Sequence, residues 1–173
     1  MKKVILTVIT AMFFTMGQAQ EITSAPENNF TPHHVGLSAG GTTGFGFSYR
    51  YWPSKWGVQV TGIPIFAEDY TWISAGANAL FMMKDNEFVD LFSYLGTSIN
   101  SNTTTYQIYD PNTNELTETT ETRNDLRLGL GVGLKFEIWE VINLNLQAGY
   151  GVRNVTTTPG TFLTGEIGLF YHL

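Results

Sequence analysis

The chain has 173 residues, no cysteine, 9 Lys plus Arg against 15 Asp plus Glu, and a formal net charge of −6. The absence of cysteine excludes a disulfide framework, thiolate chemistry, a cysteine-based zinc site and a lipid-anchored cysteine. Nothing basic is clustered, so no nucleic acid partner is expected, and the length fits one domain.

The chain opens Met1-Lys2-Lys3, runs through an apolar stretch at residues 4–16 and reaches Gly17-Gln18-Ala19. That is the three-part pattern of a secretory signal peptide cut after Ala19. A transmembrane helix needs about 20 apolar residues, and this run is shorter. Residues 1–19 are therefore expected to be removed on export. Without Lys2 and Lys3, seven basic residues face fifteen acidic ones, a formal charge of −8. Residues 20–32 are polar, with Pro26 and Pro32, and read as a flexible lead-in. A single barrel domain is expected over residues 33–173.

Strands then come at short intervals. Residues 34–39 form the first, with Val35, Leu37 and Ala39 on one face. A tight connection at 40–43 leads to the second, 44–52, where Phe45, Phe47, Tyr49 and Tyr51 alternate with Gly44, Gly46, Ser48 and Arg50. Pro53-Ser54-Lys55 is a turn, since proline cannot donate to a ladder. The third strand, 56–66, has Val58 and Val60 on its apolar face and loses phase at Gly62-Ile63-Pro64, which predicts a bulge. In the fourth, 71–82, Ile73, Ala75, Ala77, Ala79 and Phe81 oppose Ser74, Gly76 and Asn78. The fifth, 88–99, is apolar on both faces, so its register stays open.

The one long connection, 100–122, is rich in Thr and Asn, with a protruding hairpin expected around Tyr106-Gln107-Ile108-Tyr109. The sixth strand, 126–138, is the clearest of all. Leu126, Leu128, Leu130, Val132, Leu134, Phe136 and Ile138 alternate with Arg127, Gly129, Gly131, Gly133, Lys135 and Glu137. A helix would scatter those leucines and set glycines in its interior at roughly 1 kcal/mol each. The seventh, 142–153, repeats the pattern, with Asn143, Asn145, Gln147, Gly149, Gly151 and Arg153 on its polar face. Residues 156–160 lead to the eighth, 161–173. Eight strands make an even meander, which predicts an all-β fold: an eight-stranded antiparallel up-and-down β-barrel.

Alternation does not say whether the apolar face points inward or outward. Glycine on an exposed strand face only weakens it, whereas inside a narrow barrel it makes room for opposing side chains. The many polar-face glycines therefore place the polar face inside. Aromatic residues also gather at strand ends: Trp52, Trp56, Phe88 and Trp139 at one end, Tyr70 and Trp72 at the other. Membrane interfaces select two such girdles. The chain closes Glu166-Ile167-Gly168-Leu169-Phe170-Tyr171-His172-Leu173. In this stretch Glu166, Gly168, Tyr171 and Leu173 resemble the C-terminal signal by which outer-membrane proteins engage the barrel-assembly machinery. On these features the chain resembles the small eight-stranded outer-membrane barrels of the OmpA/OmpX type over nearly its whole mature length, departing from them in having one long loop. The resemblance implies a Gram-negative outer membrane, with lipid and lipopolysaccharide around the barrel, both ends periplasmic and the long loop outside.

With that orientation Arg50, Lys135, Glu137 and Glu166 fall in the periplasmic half of the interior, and Arg127 and Arg153 towards the outer rim. Buried charges left unpaired cost several kcal/mol, so the first four, with Asp90 as a candidate fifth, are expected to form an interior ion-pair network. His33, His34 and His172 all belong to the periplasmic end. That is the wrong place for a base acting on outer-leaflet lipid, which must lie within hydrogen-bond reach of its nucleophile. Neither catalysis, a cofactor nor a metal is expected. The acidic residues of the loop, Asp110, Glu115, Glu118 and Glu121, lack the glycine turn of a calcium loop and read as a solvated face. The expected function is non-enzymatic: a structural or interaction role through residues 100–122, or membership of an envelope assembly with a protein partner. A small-solute pore gated by the interior ion pairs is the first alternative. A soluble periplasmic lipocalin-like ligand-binding barrel is the second.

Overall fold

The computed structural model describes residues 32–86, 88–110, 115–155 and 158–173. The expected signal peptide and nearly all of the lead-in lie outside them. Eight strands follow in order: β1 (His33–Gly40), β2 (Gly44–Tyr51), β3 (Trp56–Ala67), β4 (Tyr70–Lys84), β5 (Val89–Asp110), β6 (Glu115–Trp139), β7 (Ile142–Arg153) and β8 (Gly160–His172). Each pairs antiparallel with the next, and β8 returns to β1 to close the sheet. The seam runs from His34↔His172 to Gly40↔Glu166, and the Leu173 N–H donates to the His33 carbonyl at 3.0 Å. His33 and His172 share one end, called basal here; the β5–β6 connection marks the distal end.

The wall is built for hydrocarbon. Phe47, Leu130, Tyr150 and Leu163 stand on the outer face with more than three-fifths of their surface exposed. Among the described residues, eighteen polar or charged side chains are buried against five large apolar ones. A monomer in water does not carry an apolar belt of that extent, whereas a lipid-facing wall requires one. The chain is an eight-stranded transmembrane β-barrel.

Three expectations need correction. The long connection is mostly strand: β5 and β6 stay paired from Asn100↔Asp125 to Asp110↔Glu115, so the hairpin takes up nearly all of it. Cross-strand threonine pairs sustain it, Thr103 with Thr122 at 3.0 Å and Thr105 with Thr120 at 3.2 Å. There is no bulge at residues 62–64, because β3 runs in unbroken register with β4 through Gly62↔Ala75 and Pro64↔Ile73. What ends there is the pairing with β2, at Phe47↔Gly62. Finally, Trp52 does not join the girdle. It keeps the inward parity of Ser48 and Arg50, is 2% exposed and meets Phe92 edge-on at 5.4 Å. Gly57 makes the room, since a Cβ there would come within 2.7 Å of the indole.

The same trade of ring against glycine settles β5. Asp90, Phe92, Tyr94 and Ser98 point inward, and Leu95 and Ile99 outward. Phe92 lies over Gly133, where a Cβ would collide with the ring, and Tyr94 over Gly131. Both faces of β5 are apolar because two of its interior side chains are aromatic.

Candidate functional site

The interior is organised around the β1–β2 turn. Its two strands are only eight residues long, and Gly44 (φ 83°) and Gly46 (φ 123°) turn the backbone out of the wall in a region other residues rarely adopt. Thr42 and Thr43 end fully buried inside the barrel. Gly76 of β4, Gly96 of β5 and Gly129 of β6 form the seat: a Cβ on any of them would strike Thr42 or Thr43. The Ser98 hydroxyl donates to the Gly41 carbonyl at 3.1 Å, and the Phe45 N–H donates to Ser74 Oγ at 3.0 Å. The turn is a resident plug across the barrel. Read as a tight connection, it left one usable signal in the sequence: four glycines within residues 40–46.

The expected four-residue ion network divides in two around this plug. Among the described residues Glu166 takes no cation. Its Oε1 accepts from the Thr42 hydroxyl and, at 3.3, 3.2 and 3.2 Å, from the Thr42 N–H, the Tyr94 hydroxyl and the Thr164 hydroxyl. The inturned Thr42 supplies two of these four bonds. Arg50, fully buried, takes no carboxylate among the described residues. Its Nε and Nη2 donate to Gln59 Oε1 at 3.1 and 2.7 Å, and its guanidinium lies 4.0 Å from the Phe170 ring centre, a cation–π contact. Lys135 does pair: with Asp90 at 2.7 Å, both buried, and with the half-exposed Glu137 at 3.5 Å. Asp90 takes the place expected for Glu166 because β5 and β6 set Asp90 directly across from Lys135.

The basal histidines do meet. His34 and His172 are cross-strand partners with ring centres 4.3 Å apart, edge to face. His172 Nε2 lies 2.6 Å from Asn143 Nδ2, and His33 Nδ1 lies 2.6 Å from the Tyr49 hydroxyl. Among the described residues, no three His, Asp or Glu converge as metal ligands would. Of the girdle residues, Trp56 and Trp139 are exposed at the basal end, and Tyr70 and the partly buried Trp72 stand at the distal end. Of the C-terminal set, Glu166 is buried inside, Gly168 lies beside the Phe170 ring, and Tyr171 and Leu173 are exposed on the outer face.

Beyond the barrel proper stands the β5–β6 hairpin. Pairing with β4 ends at Tyr70↔Thr104, and pairing with β7 ends at Leu128↔Val152. Tyr106, Ile108 and Leu116 are exposed there. Glu118 takes a 3.5 Å bond from Gln107, and Glu121 binds Arg123 at 2.8 Å, which lifts the guanidinium above its ordinary value. Lower down, Asp125 bridges Arg127 at 2.6 Å and the Asn154 N–H at 3.0 Å, so this distal rim is tied across β6 and the β7–β8 connection.

No family model matches the chain, and no curated protein does. Among solved structures it is similar to the N-terminal β-barrel domain of Pseudomonas aeruginosa OprF, at 11% identity and a TM-score of 0.48 over 80% of this chain and 95% of that one. It is also similar to Ail, the attachment invasion locus protein of Yersinia pestis, at 19% identity and a TM-score of 0.39 over 80% and 95%. For Neisserial surface protein A the values are 17% and 0.37 over 82% and 94%. Likeness at that level adds nothing to what the chain's own strand register and wall already establish.

Proposed function

We propose that this is a non-enzymatic integral protein of the outer membrane of a Gram-negative bacterium, acting as an interaction or structural element through its distal hairpin. The observation that carries the reading is the run of β5–β6 pairing beyond the last rungs shared with β4 and β7. Long hairpins belong to the outer side of such barrels and short turns to the periplasmic side, so the basal end faces the periplasm. Lipid and lipopolysaccharide surround the wall, and the C-terminal strand from Glu166 to Leu173 is the segment offered to the barrel-assembly machinery. The filled interior argues against a pore: the Gly41–Thr43 turn and its Glu166, Ser98 and Ser74 anchors occupy the space that ions would need. The exposed apolar wall argues against a soluble ligand-binding barrel.

The chain has no cysteine, so Leu116→Cys gives a single reporter on the hairpin. A membrane-impermeant maleimide added to intact cells is expected to label it, while Lys84→Cys, at the basal end of β4, stays unlabelled until the envelope is opened. Labelling only after opening would place the hairpin in the periplasm and end the surface-interaction reading.

A further inference from the structure

The short β1–β2 hairpin leaves the wall incomplete. β2 pairs with β3 only as far as Phe47↔Gly62, yet β3 continues against β4 to Ala67↔Tyr70. β1 pairs with β8 only as far as Gly40↔Glu166, yet β8 continues against β7 to Arg153↔Gly160. Residues 63–67 and 160–165 therefore form the two sides of a notch in the distal wall, with the inturned plug as its floor. Pro64 lies on one of these free edges, the kind of sheet position proline can occupy. Directly below, the outer wall carries a groove of about 700 Å³, lined by Val35, Leu37, Phe47, Tyr49 and Val60, with Gly62 at its upper end.

We propose that groove and notch together hold one acyl chain of a membrane lipid, with the lipid's polar linkage region at the notch rim. The inference rests on the transmembrane reading of the barrel. The groove is continuous with the lipid-facing belt, so hydrocarbon is the medium that reaches it. The rim asks for something else. Its free backbone N–H and C=O groups need hydrogen-bonding partners that hydrocarbon lacks, and lipid ester and headgroup oxygens, with the water around them, supply these. The flanking side chains, Phe66 and Leu163, are exposed and apolar. One amphiphile meets all three demands: a chain for the groove, polar atoms for the rim and contact with both aliphatic flanks. A partner's β-strand would pair with the edges but leave the groove below unfilled.

The test reconstitutes the mature protein in palmitoyl-oleoyl phosphatidylglycerol vesicles and reads retained lipid by native mass spectrometry, at a collision energy that strips loosely held lipid. Wild type is expected to keep one lipid per barrel. Gly62→Leu fills the groove from above, and its Cβ meets nothing nearer than the Ser74 carbonyl at 3.3 Å. Gly165→Leu fills the rim, where a Cβ has nothing within 4 Å. Each variant is expected to lower occupancy about tenfold, the equivalent of roughly two buried methylenes. If Gly62→Leu does not refold, Gly165→Leu alone decides. An inserted wild type with no retained lipid, or two variants that retain as much as wild type, overturns the proposal. So does a barrel recovered as a lipid-free dimer. A wild type that never enters the vesicles overturns the transmembrane reading along with it.

Discussion

Single residues inside the barrel carry most of its electrostatic risk. Lys135 and Asp90 are both nearly inaccessible and only 2.7 Å apart. Removing Lys135 leaves Asp90 buried without its counter-charge, which costs about 3–5 kcal/mol. Lys135→Met should therefore lower the urea stability of the refolded barrel by that amount, and Asp90→Asn in the same chain should restore much of it; additive losses would show that the pair is not coupled. Outside the membrane, Asp85 in the β4–β5 turn shares a hydrogen bond with Asp90, is partly desolvated and stands near a second carboxylate, which together push its carboxyl above its ordinary 3.8. A group raised in the folded state gives stability that is fully present below about 3.8 and is lost as pH rises through the folded value. Asp85→Asn mimics the protonated form, so its urea midpoint should match wild type near pH 3 and exceed it near pH 7; a variant weaker than wild type near pH 7 contradicts this. At this scale the sequence told charge type and depth but not partner. Arg50 and Glu166 are expected to meet a countercharge because nothing in the alternation shows that Arg50 contacts Gln59 and Phe170, and Glu166 contacts Thr42, instead.

Among the elements, β6 was the most legible and the β1–β2 hairpin the least. Strict alternation from Leu126 to Ile138 sorts β6 into one apolar and one polar face, and the glycines of the polar face place it inside, so the apolar face meets lipid. Leu130 is 63% exposed on that face. Leu130→Arg should block assembly, since arginine near the bilayer midplane costs roughly 2–4 kcal/mol. Thr119→Arg, on the hairpin beyond the last shared rungs, should leave folding unchanged. Equal yields of folded protein from the two variants would mean the wall does not face hydrocarbon. Only the part around Tyr106-Gln107-Ile108-Tyr109 reads as a hairpin in the sequence, because the rungs below it, residues 100–105 and 120–125, are polar on both faces: threonine ladders give β propensity without the apolar alternation that marks a lipid-facing strand. Replacing residues 105–120 by a two-residue Asn-Gly turn should leave the barrel foldable, because neither β4 nor β7 pairs with the β5–β6 rungs removed beyond Thr104 and Glu121. The β1–β2 turn was hidden for a different reason. Its path depends on glycines in β4, β5 and β6 that are far away in the chain, and local spacing carries no record of that match.

For the molecule as a whole, closure and lipid-facing polarity follow from one another. Eight strands give a barrel just wide enough to be filled by side chains, and here an inturned segment completes the filling. Planar bilayers containing the refolded protein should show no stepwise conductance; channels that vanish when Glu166 is replaced would instead make the plug a gate. The overall architecture was readable in advance because even strand count, interior glycine and end-clustered aromatics all pointed to the same solution, whereas the notch and the plug arise from strand lengths that only pairing reveals. The most direct test of the whole account is the migration of the mature protein from washed outer membranes, unboiled against boiled, after carbonate extraction. A closed transmembrane barrel resists carbonate and shifts its band on boiling. A carbonate-soluble protein with one unchanging band would contradict the lipid-facing wall, and the same apolar faces would then have to line a cavity.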